Sequence, residues 1–277
     1  MKNVIRKTLF ACAAIAALSS STVAMAQSFP DFVVTEGSIP GASTNTFTAD
    51  KITGNFVEVI TFAGTTTSGT FDVSLKWNAG QFVANDGGSP VASQLGGISA
   101  SQYGLYALYM GSGTFNSTTS GTTFSFTPGG SLRVFADVNS NTQFGTPANG
   151  NTTFATTNAG DDILIATGVP TSGAGNLNPN LPTCGANGIN CGSFGASSSF
   201  NLTTAGSNYF TSPNPFYNIS FQSGQLNSFT PAGTQTINGS LDVIFGGLPN
   251  QVPEPATMAI FGLGLLGLGL ARRRKQG

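Results

Sequence analysis

The sequence predicts an all-β protein, an antiparallel β-sandwich or jelly-roll ectodomain followed by one short C-terminal transmembrane helix. Short segments with alternating apolar residues recur along the chain, and glycine-rich turns separate them at a spacing of roughly 8 to 12 residues. No segment before Ala256 has the periodicity of a helix. Residues 256–271 form a run without any charge, which predicts the one helix.

The first half of the chain contains the clearest strand patterns. Residues 52–62 are rich in β-branched and aromatic side chains, which favour strands. In the segment 71–77 the residues alternate, and four side chains are expected to share one buried face: Phe71, Val73, Leu75 and Trp77. Residues 78–80 are then expected to turn the chain into a hairpin. Further strands are predicted at 103–110, 123–127, 132–138, 162–166, 209–210, 217–221 and 240–245.

Between Gly168 and Gly206 the alternation is lost, because glycine, asparagine, proline and serine dominate. This segment is expected to be a long loop, or the seam between two sheets or subdomains. Cys184 and Cys191 lie within it and are the two ends of an eight-residue stretch. In an oxidising compartment such a pair is expected to form a disulfide bond.

Residues 1–26 have the organisation of a secretory signal peptide. A basic start precedes an apolar stretch, and an A-x-A cleavage site follows. The residues at the predicted cleavage site are Ala24, Ala26 and Gln27. The chain is therefore predicted to be exported, with an all-β ectodomain spanning residues 27–250.

Residues 251–277 have three parts in a fixed order. The triplet Pro253, Glu254 and Pro255 is stiff, because proline fixes φ near −65° and biases the preceding residue toward extended geometry. The charge-free run follows, and at about 1.5 Å per residue it gives a helix of roughly 24 Å, short of a hydrocarbon core of about 30 Å. Four cations complete the segment and hold that end in the cytoplasm: Arg272, Arg273, Arg274 and Lys275.

This order of motif, apolar helix and basic tail resembles the PEP-CTERM sorting signal of Gram-negative bacteria, which exosortases process. The resemblance implies an exosortase partner, transient anchoring in the inner membrane, and cleavage close to the Pro-Glu-Pro triplet. It also implies release of the ectodomain to the cell surface or extracellular matrix. A plain single-pass tail anchor is the alternative interpretation.

The charge of the predicted ectodomain restricts its partners. Of the ten basic residues of the chain, seven lie in the two targeting ends, which leaves three cations against ten acids and a net charge of −7. Such a charge argues against nucleic acid or an anionic membrane as a partner. The chain has no histidine, which excludes Ser-His-Asp and Cys-His catalysis and histidine metal sites.

A short acidic segment suggests a calcium site. Asp137, Asn139 and Asn141 offer oxygen atoms at alternate positions, as in the start of a calcium-binding loop, and Asp161 and Asp162 could complete the site. The sixth position is not glycine and the twelfth is not glutamate, unlike in an EF-hand. The alternative is a solvated turn rich in asparagine and aspartate. No other cofactor is predicted.

Several segments of the body carry a second resemblance: residues 39–42, 47–62, 77–82 and 103–106. They are similar to flocculation-associated PEP-CTERM proteins of floc-forming bacteria. The resemblance implies a non-enzymatic surface or matrix protein that promotes cell aggregation together with extracellular polysaccharide. That family brings no catalytic residues.

The alternative function is a polysaccharide-binding module or a glycoside hydrolase that acts on the extracellular matrix. A hydrolase needs two carboxyl groups about 5 to 10 Å apart. The ten acids of the predicted ectodomain are scattered through strands and turns without a clustered motif. The pattern therefore gives no catalytic pair.

Overall fold

The computed structural model describes residues 29–96 and 102–246. Their architecture is antiparallel β almost throughout, which confirms the predicted all-β class. The predicted signal peptide, the Pro-Glu-Pro triplet, the apolar run and the basic tail lie outside the described residues. Within the described ranges, no helix is both long and apolar enough to cross a membrane.

Sixteen strands follow one another in the described chain. They are β1 (Phe32–Thr35), β2 (Thr46–Ala49), β3 (Lys51–Gly64), β4 (Ser68–Ala84), β5 (Ser89–Pro90), β6 (Tyr103–Thr118), β7 (Gly121–Val138), β8 (Gln143–Gly145), β9 (Ala155–Thr157), β10 (Ile163–Gly168), β11 (Pro170–Leu177), β12 (Gly192–Ser199), β13 (Asn201–Leu202), β14 (Phe210–Ser212), β15 (Ile219–Leu226) and β16 (Thr234–Gly246). A 3-10 helix spans Glu36–Ser38, and a short helix α1 spans Thr204–Tyr209.

Eight of these strands form a closed ring. Their order around the ring is β11, β12, β15, β16, β3, β4, β6 and β7, and β7 pairs with β11 to close it. β7 has 18 residues, so its two halves have different neighbours. Residues 122–126 pair with β11, whereas residues 132–136 pair with β10, which continues to β13. Closure satisfies the backbone groups that a free sheet edge would leave unpaired.

The inside of the ring is filled mainly by phenylalanine. Inward-facing residues alternate with outward-facing polar ones, so the predicted buried face of β4 is confirmed: Phe71, Val73, Leu75 and Trp77 are all nearly inaccessible. Rings from opposite walls meet edge to face, with centroids 5.4 Å apart for Phe56 on β3 and Phe194 on β12. Each such pair contributes about 0.5–1.5 kcal/mol beyond the area that it buries.

A small sheet of order β14-β1-β2 covers one end of the ring. Phe32 on β1 is fully buried and meets four aromatic rings: Phe82, Phe210, Phe216 and Phe245. On the outside of the ring, the β8-β9 pair and its loop cover a second apolar cluster, whose buried members are Val59, Tyr106, Leu108 and Phe154.

The hairpin predicted at residues 78–80 is wrong, because β4 continues through this segment to Ala84. Gly54 on β3 pairs with Ala79, whereas Thr53 pairs with Gln81, so Gly80 is the extra residue of a β-bulge. Glycine and asparagine mark bulges as well as turns, and here the long partner strand maintains the pairing.

The loop interpretation of residues 168–206 is also wrong for two stretches, since β11 and β12 lie within the segment. Residues 178–191, which contain the disulfide bond, do form a loop. β11 is the strand that closes the ring. It lacks an apolar pattern because two of its inward positions are Gly173 and Gly175, and only Leu177 at its end is large and apolar. A Cβ at Gly173 would come within 2.9 Å of the Phe126 ring, and one at Gly175 within 3.1 Å of the Phe194 Cβ. Neighbouring aromatic rings occupy the space that β11 side chains would fill.

Candidate functional site

An open groove of about 480 Å³ lies at the end of the ring opposite the β14-β1-β2 sheet. One wall is the tip of the β6-β7 hairpin, and the other is the start of the loop that joins β11 to β12. Its floor is the outer surface of β7, β11 and β12. The lining residues are Thr118, Ser120, Gly121, Thr122, Thr123, Asn176, Leu177, Asn178, Leu181 and Ser193.

Local hydrogen bonds fix both walls of the groove. In the hairpin tip, the Thr118 hydroxyl donates to the carbonyl of Gly121 and accepts from the backbone N–H of Ser120. In the loop, the Asn178 side chain accepts from the N–H of Asn180, and the Asn178 N–H donates to the carbonyl of Cys191. These contacts are typical of turns built by short polar side chains.

The disulfide bond predicted between Cys184 and Cys191 is confirmed, with the two Cα atoms 4.2 Å apart. Cys191 is fully buried and its backbone N–H donates to Leu226 on β15. The N–H of Cys184 donates to the carbonyl of Leu181, which lines the groove. The bond therefore attaches the groove's loop wall to the ring.

Replacing Cys184 and Cys191 with alanine is expected to lower the free energy of unfolding by about 2.5 kcal/mol, the chain-entropy value for a loop of this length. In a domain of this size that is a fall of roughly 5–10 °C in Tm. Thermal unfolding of the wild type with and without reductant, beside the variant, measures the effect. Two alkylatable thiols in unreduced exported protein would contradict the bond.

Among the described residues, none that lines the groove carries a charge. Seven of its lining residues carry hydroxyl or amide groups, which can both donate and accept hydrogen bonds, and the remaining three are glycine and leucine. A surface of this kind can bind an uncharged polar molecule through many individually weak hydrogen bonds, each with a net contribution of about 0.5–1.5 kcal/mol. It offers no general acid, general base or nucleophile activated by a neighbouring base.

The residues of the predicted calcium site lie close together, but their oxygen atoms already accept hydrogen bonds. The Asp137 carboxyl group accepts from the N–H of Asn141 and of Thr142. Asp162 accepts from the hydroxyls of Tyr106 and Thr142. Burial raises the pKa of Asp137, and the two backbone N–H groups oppose this effect.

The remaining predicted ligands form a turn. Asn139 has φ of 69° and donates its amide to Asp161, at 3.1 Å. Among the described residues, no group of three or more acids or cysteines is placed to hold a metal ion. This donor set fits a hydrogen-bonded turn better than a cation site. Calcium binding stays a prediction that the geometry does not favour.

A buried carboxyl group joins the end sheet to the ring. Glu36 is fully buried and accepts four hydrogen bonds, from the Asn45 amide, the Gln94 amide, the Gln94 backbone N–H and the Tyr103 hydroxyl. The Tyr209 hydroxyl lies 2.6 Å from that of Tyr103, whose proton goes to Glu36, so Tyr209 is the donor. Burial raises the pKa of both tyrosines, which remain protonated donors.

Replacing Glu36 with glutamine is expected to lower the free energy of unfolding by about 2–3 kcal/mol, because the new NH2 group faces donors that then have no acceptor. Chemical denaturation measures the loss. Asn45→Ala is the matched control, since it removes one half-buried donor at the rim of the same network, and it is expected to cost less than about 1 kcal/mol. Equal effects of the two variants would contradict a special role of Glu36.

A second carboxyl group lies inside the ring, and no charged residue of the described part of the chain pairs with it. Glu58 is 6% exposed on the inward face of β3 and lines a cavity of about 20 Å³, room for about one water molecule. The other lining residues are apolar: Ile60, Phe71, Val73, Phe124, Phe126, Phe194, Leu226 and Phe229. Burial raises the pKa of Glu58 to about 8. A lone carboxyl group in such a place cannot act as half of a hydrolytic pair.

The Trp77 indole and most of the described tyrosines belong to the core and do not form a sugar-stacking platform. Trp77 is 3% exposed and donates to the carbonyl of Leu241, and Tyr103, Tyr106, Tyr109 and Tyr209 are buried. Three residues of the groove, Thr123, Asn176 and Ser193, were not predicted as site residues. Thr123 lies in a predicted strand, whereas Asn176 and Ser193 lie in the segment that was interpreted as a loop. Short polar residues look alike in sequence whether they line a groove or face solvent.

The predicted sorting and cleavage residues lie outside the described residues: Ala24, Ala26, Gln27, Pro253, Glu254, Pro255, Arg272, Arg273, Arg274 and Lys275. Comparison with known families bears on the C-terminal segment as a whole. The PEP-CTERM protein-sorting motif matches residues 251–275. No curated protein and no solved structure matches the chain. The chain thus carries a PEP-CTERM sorting signal, which indicates a protein that is exported, anchored in the membrane as an intermediate, and processed by an exosortase on its way to the cell surface.

Proposed function

We propose that this chain is a non-enzymatic matrix protein that promotes cell aggregation by binding extracellular polysaccharide after export. The observation that carries the proposal is the groove of hydroxyl and amide groups on a protein that has an exosortase signal. The signal delivers the domain to the place where secreted polysaccharide accumulates. The groove offers the kind of hydrogen-bonding surface that a sugar chain requires.

The acids of the described chain favour binding over hydrolysis. None lines the groove. Glu36 and Glu58 are buried, Asp50 accepts from the N–H groups of Asp86 and Gly87, and Asp242 pairs with Lys51 at 2.9 Å. The clustered pair Asp137 and Asp162 is engaged by protein donors. A glycoside hydrolase remains the alternative outcome of the experiment below.

A deletion strain tests the cellular part of the proposal. Loss of the gene is expected to leave cells dispersed, and complementation with the full chain is expected to restore flocs. Immunoblots of culture, surface and membrane fractions locate the protein in the same cells. Normal flocculation in the deletion strain would refute the proposed role in aggregation.

Purified exported protein tests the biochemical part. We expect it to sediment with the exopolysaccharide of the same cells and to leave the polymer's length unchanged, as measured by size-exclusion chromatography. Shorter polysaccharide chains after incubation would indicate the hydrolase instead. A protein that sediments with no polysaccharide fraction and leaves the polymer's length unchanged would exclude both functions.

A further inference from the structure

The floor of the groove is part of a larger exposed surface that contains no charge. Six neighbouring strands of the ring place outward-facing residues in two rows, because paired residues on adjacent strands point to the same side. The first row is Ser68, Asn116, Thr123, Asn176, Ser193 and Gln225. The second row is Thr70, Thr114, Ser125, Ala174, Gly195 and Ser223.

All twelve residues are exposed, and they are called here the uncharged surface. The two rows run across the strands, with about 4.8 Å between one strand and the next. Three residues of the first row, Thr123, Asn176 and Ser193, also line the groove. The groove and the uncharged surface are therefore continuous, and together they form a track across β4, β6, β7, β11, β12 and β15.

The track is rigid before any ligand binds. Each of its strands is paired on both sides within the closed ring. Threonine has a restricted χ1, and the Thr123 hydroxyl is held by the backbone carbonyl of Asn116. The disulfide bond restrains the loop beside the groove. A ligand therefore meets groups that lose little conformational entropy on binding.

The positions of the charged residues indicate which class of polymer the surface can bind. An anionic polymer needs cations, but the three cations of the body lie elsewhere: Lys51 pairs with Asp242, whereas Lys76 and Arg133 lie over the rings of Phe144 and Phe135. The ten acids of the body would repel such a polymer. A cationic polymer needs carboxyl groups, and the uncharged surface and the groove contain none.

We propose that the uncharged surface and its groove bind a strand of neutral polysaccharide, through hydroxyl and amide groups and without ion pairs. This inference rests on the proposed function and specifies both the site and the class of polymer. Each hydrogen bond replaces one to water, so a single site is weak. Several copies on one cell, attached to the same polymer, provide the avidity that aggregation needs.

The test compares one triple variant with a matched control in the exported protein. The site variant is Thr123→Val, Asn176→Val and Ser193→Val, which removes three polar groups and keeps strand propensity. The control is Thr46→Val, Thr48→Val and Asn55→Val, on exposed positions of β2 and β3 outside the track. Circular dichroism and thermal unfolding verify that both variants fold, and sedimentation velocity measures self-association of each.

The probe is the exopolysaccharide of the same cells, separated by anion exchange into neutral and acidic fractions. We expect the wild type to bind the neutral fraction equally at low and high salt, because ion pairs do not contribute. The site variant is expected to bind at least about tenfold more weakly, whereas the control binds as the wild type does.

Each result that differs from these expectations would contradict a different part of the proposal. Wild type that binds polysaccharide with the site variant unaffected would overturn the proposed site and leave the proposed function intact. Preference for the acidic fraction, or binding that high salt abolishes, would overturn the neutral class. Loss of self-association in the site variant, without a change in polysaccharide binding, would assign this surface to contacts between copies. Absence of binding to every fraction would remove the proposed function itself.

Discussion

Replacing Glu58 with glutamine is expected to remove a large pH dependence from the stability of this protein. In the wild type the free energy of unfolding is expected to fall by roughly 5 kcal/mol from well below pH 4.5 to well above pH 8 on account of this residue. The figure follows from a pKa that rises from 4.5 to about 8 on folding, at about 1.36 kcal/mol for each pKa unit.

The direction of the effect follows from proton binding. Because the folded state raises the pKa of Glu58, it keeps a proton that the unfolded chain releases over this interval, so stability falls as pH rises. Among the described residues, Tyr109 is the only other titratable group that interacts with Glu58, and it also faces the inside of the ring. Burial first, and then the charge of Glu58, raise the pKa of Tyr109, so its hydroxyl stays protonated over the same interval.

Denaturant unfolding of the exported protein below pH 4.5 and above pH 8 measures the effect. Below pH 4.5, Glu58→Gln is expected to be as stable as the wild type. Above pH 8, it is expected to be more stable than the wild type. Glu58→Leu serves as a second variant, because it removes the ionisable group and fills the apolar cavity. Parallel pH profiles of wild type and both variants would show that Glu58 is not held in an apolar interior.

Replacing Pro253, Glu254 and Pro255 with alanine is expected to abolish processing while export continues. Proline disfavours a helix and favours extended geometry, so we expect a processing enzyme to bind this segment with little loss of conformational entropy. Alanine is the best helix former, and the membrane helix predicted to follow can then extend outward through the site. The variant is expected to remain at its unprocessed size in the inner membrane, and the cells are expected to stay dispersed.

Immunoblots of membrane and culture fractions distinguish the two forms by size and place. A matched control replaces Leu248, Pro249 and Asn250 with alanine, three residues just before the matched motif. The control is expected to be cleaved and released normally. Release of the Pro253–Pro255 variant at its normal size, with intact flocs, would show that the triplet is only a linker.

The sequence alone determined the fold class, the disulfide bond and the sorting signal. Alternation along β4 identified its buried face, because a strand with one face toward a core needs large apolar residues at every second position. The two cysteines are close in the chain, so local geometry was enough to bring them together. The sorting signal is defined by the order of its residues, so the sequence was sufficient to identify it.

Tertiary structure decided how the sheet closes and therefore where the groove lies. Gly173 and Gly175 gave β11 the composition of a loop, yet they are small because Phe126 and Phe194 from neighbouring strands fill the space beside them. Gly80 resembled a turn, yet its partner strand made it a bulge. In each case the residue type depends on contacts with residues that are distant in the sequence. The two polar rows likewise exist only through strand register, which depends on pairings between distant segments and which no local pattern specifies.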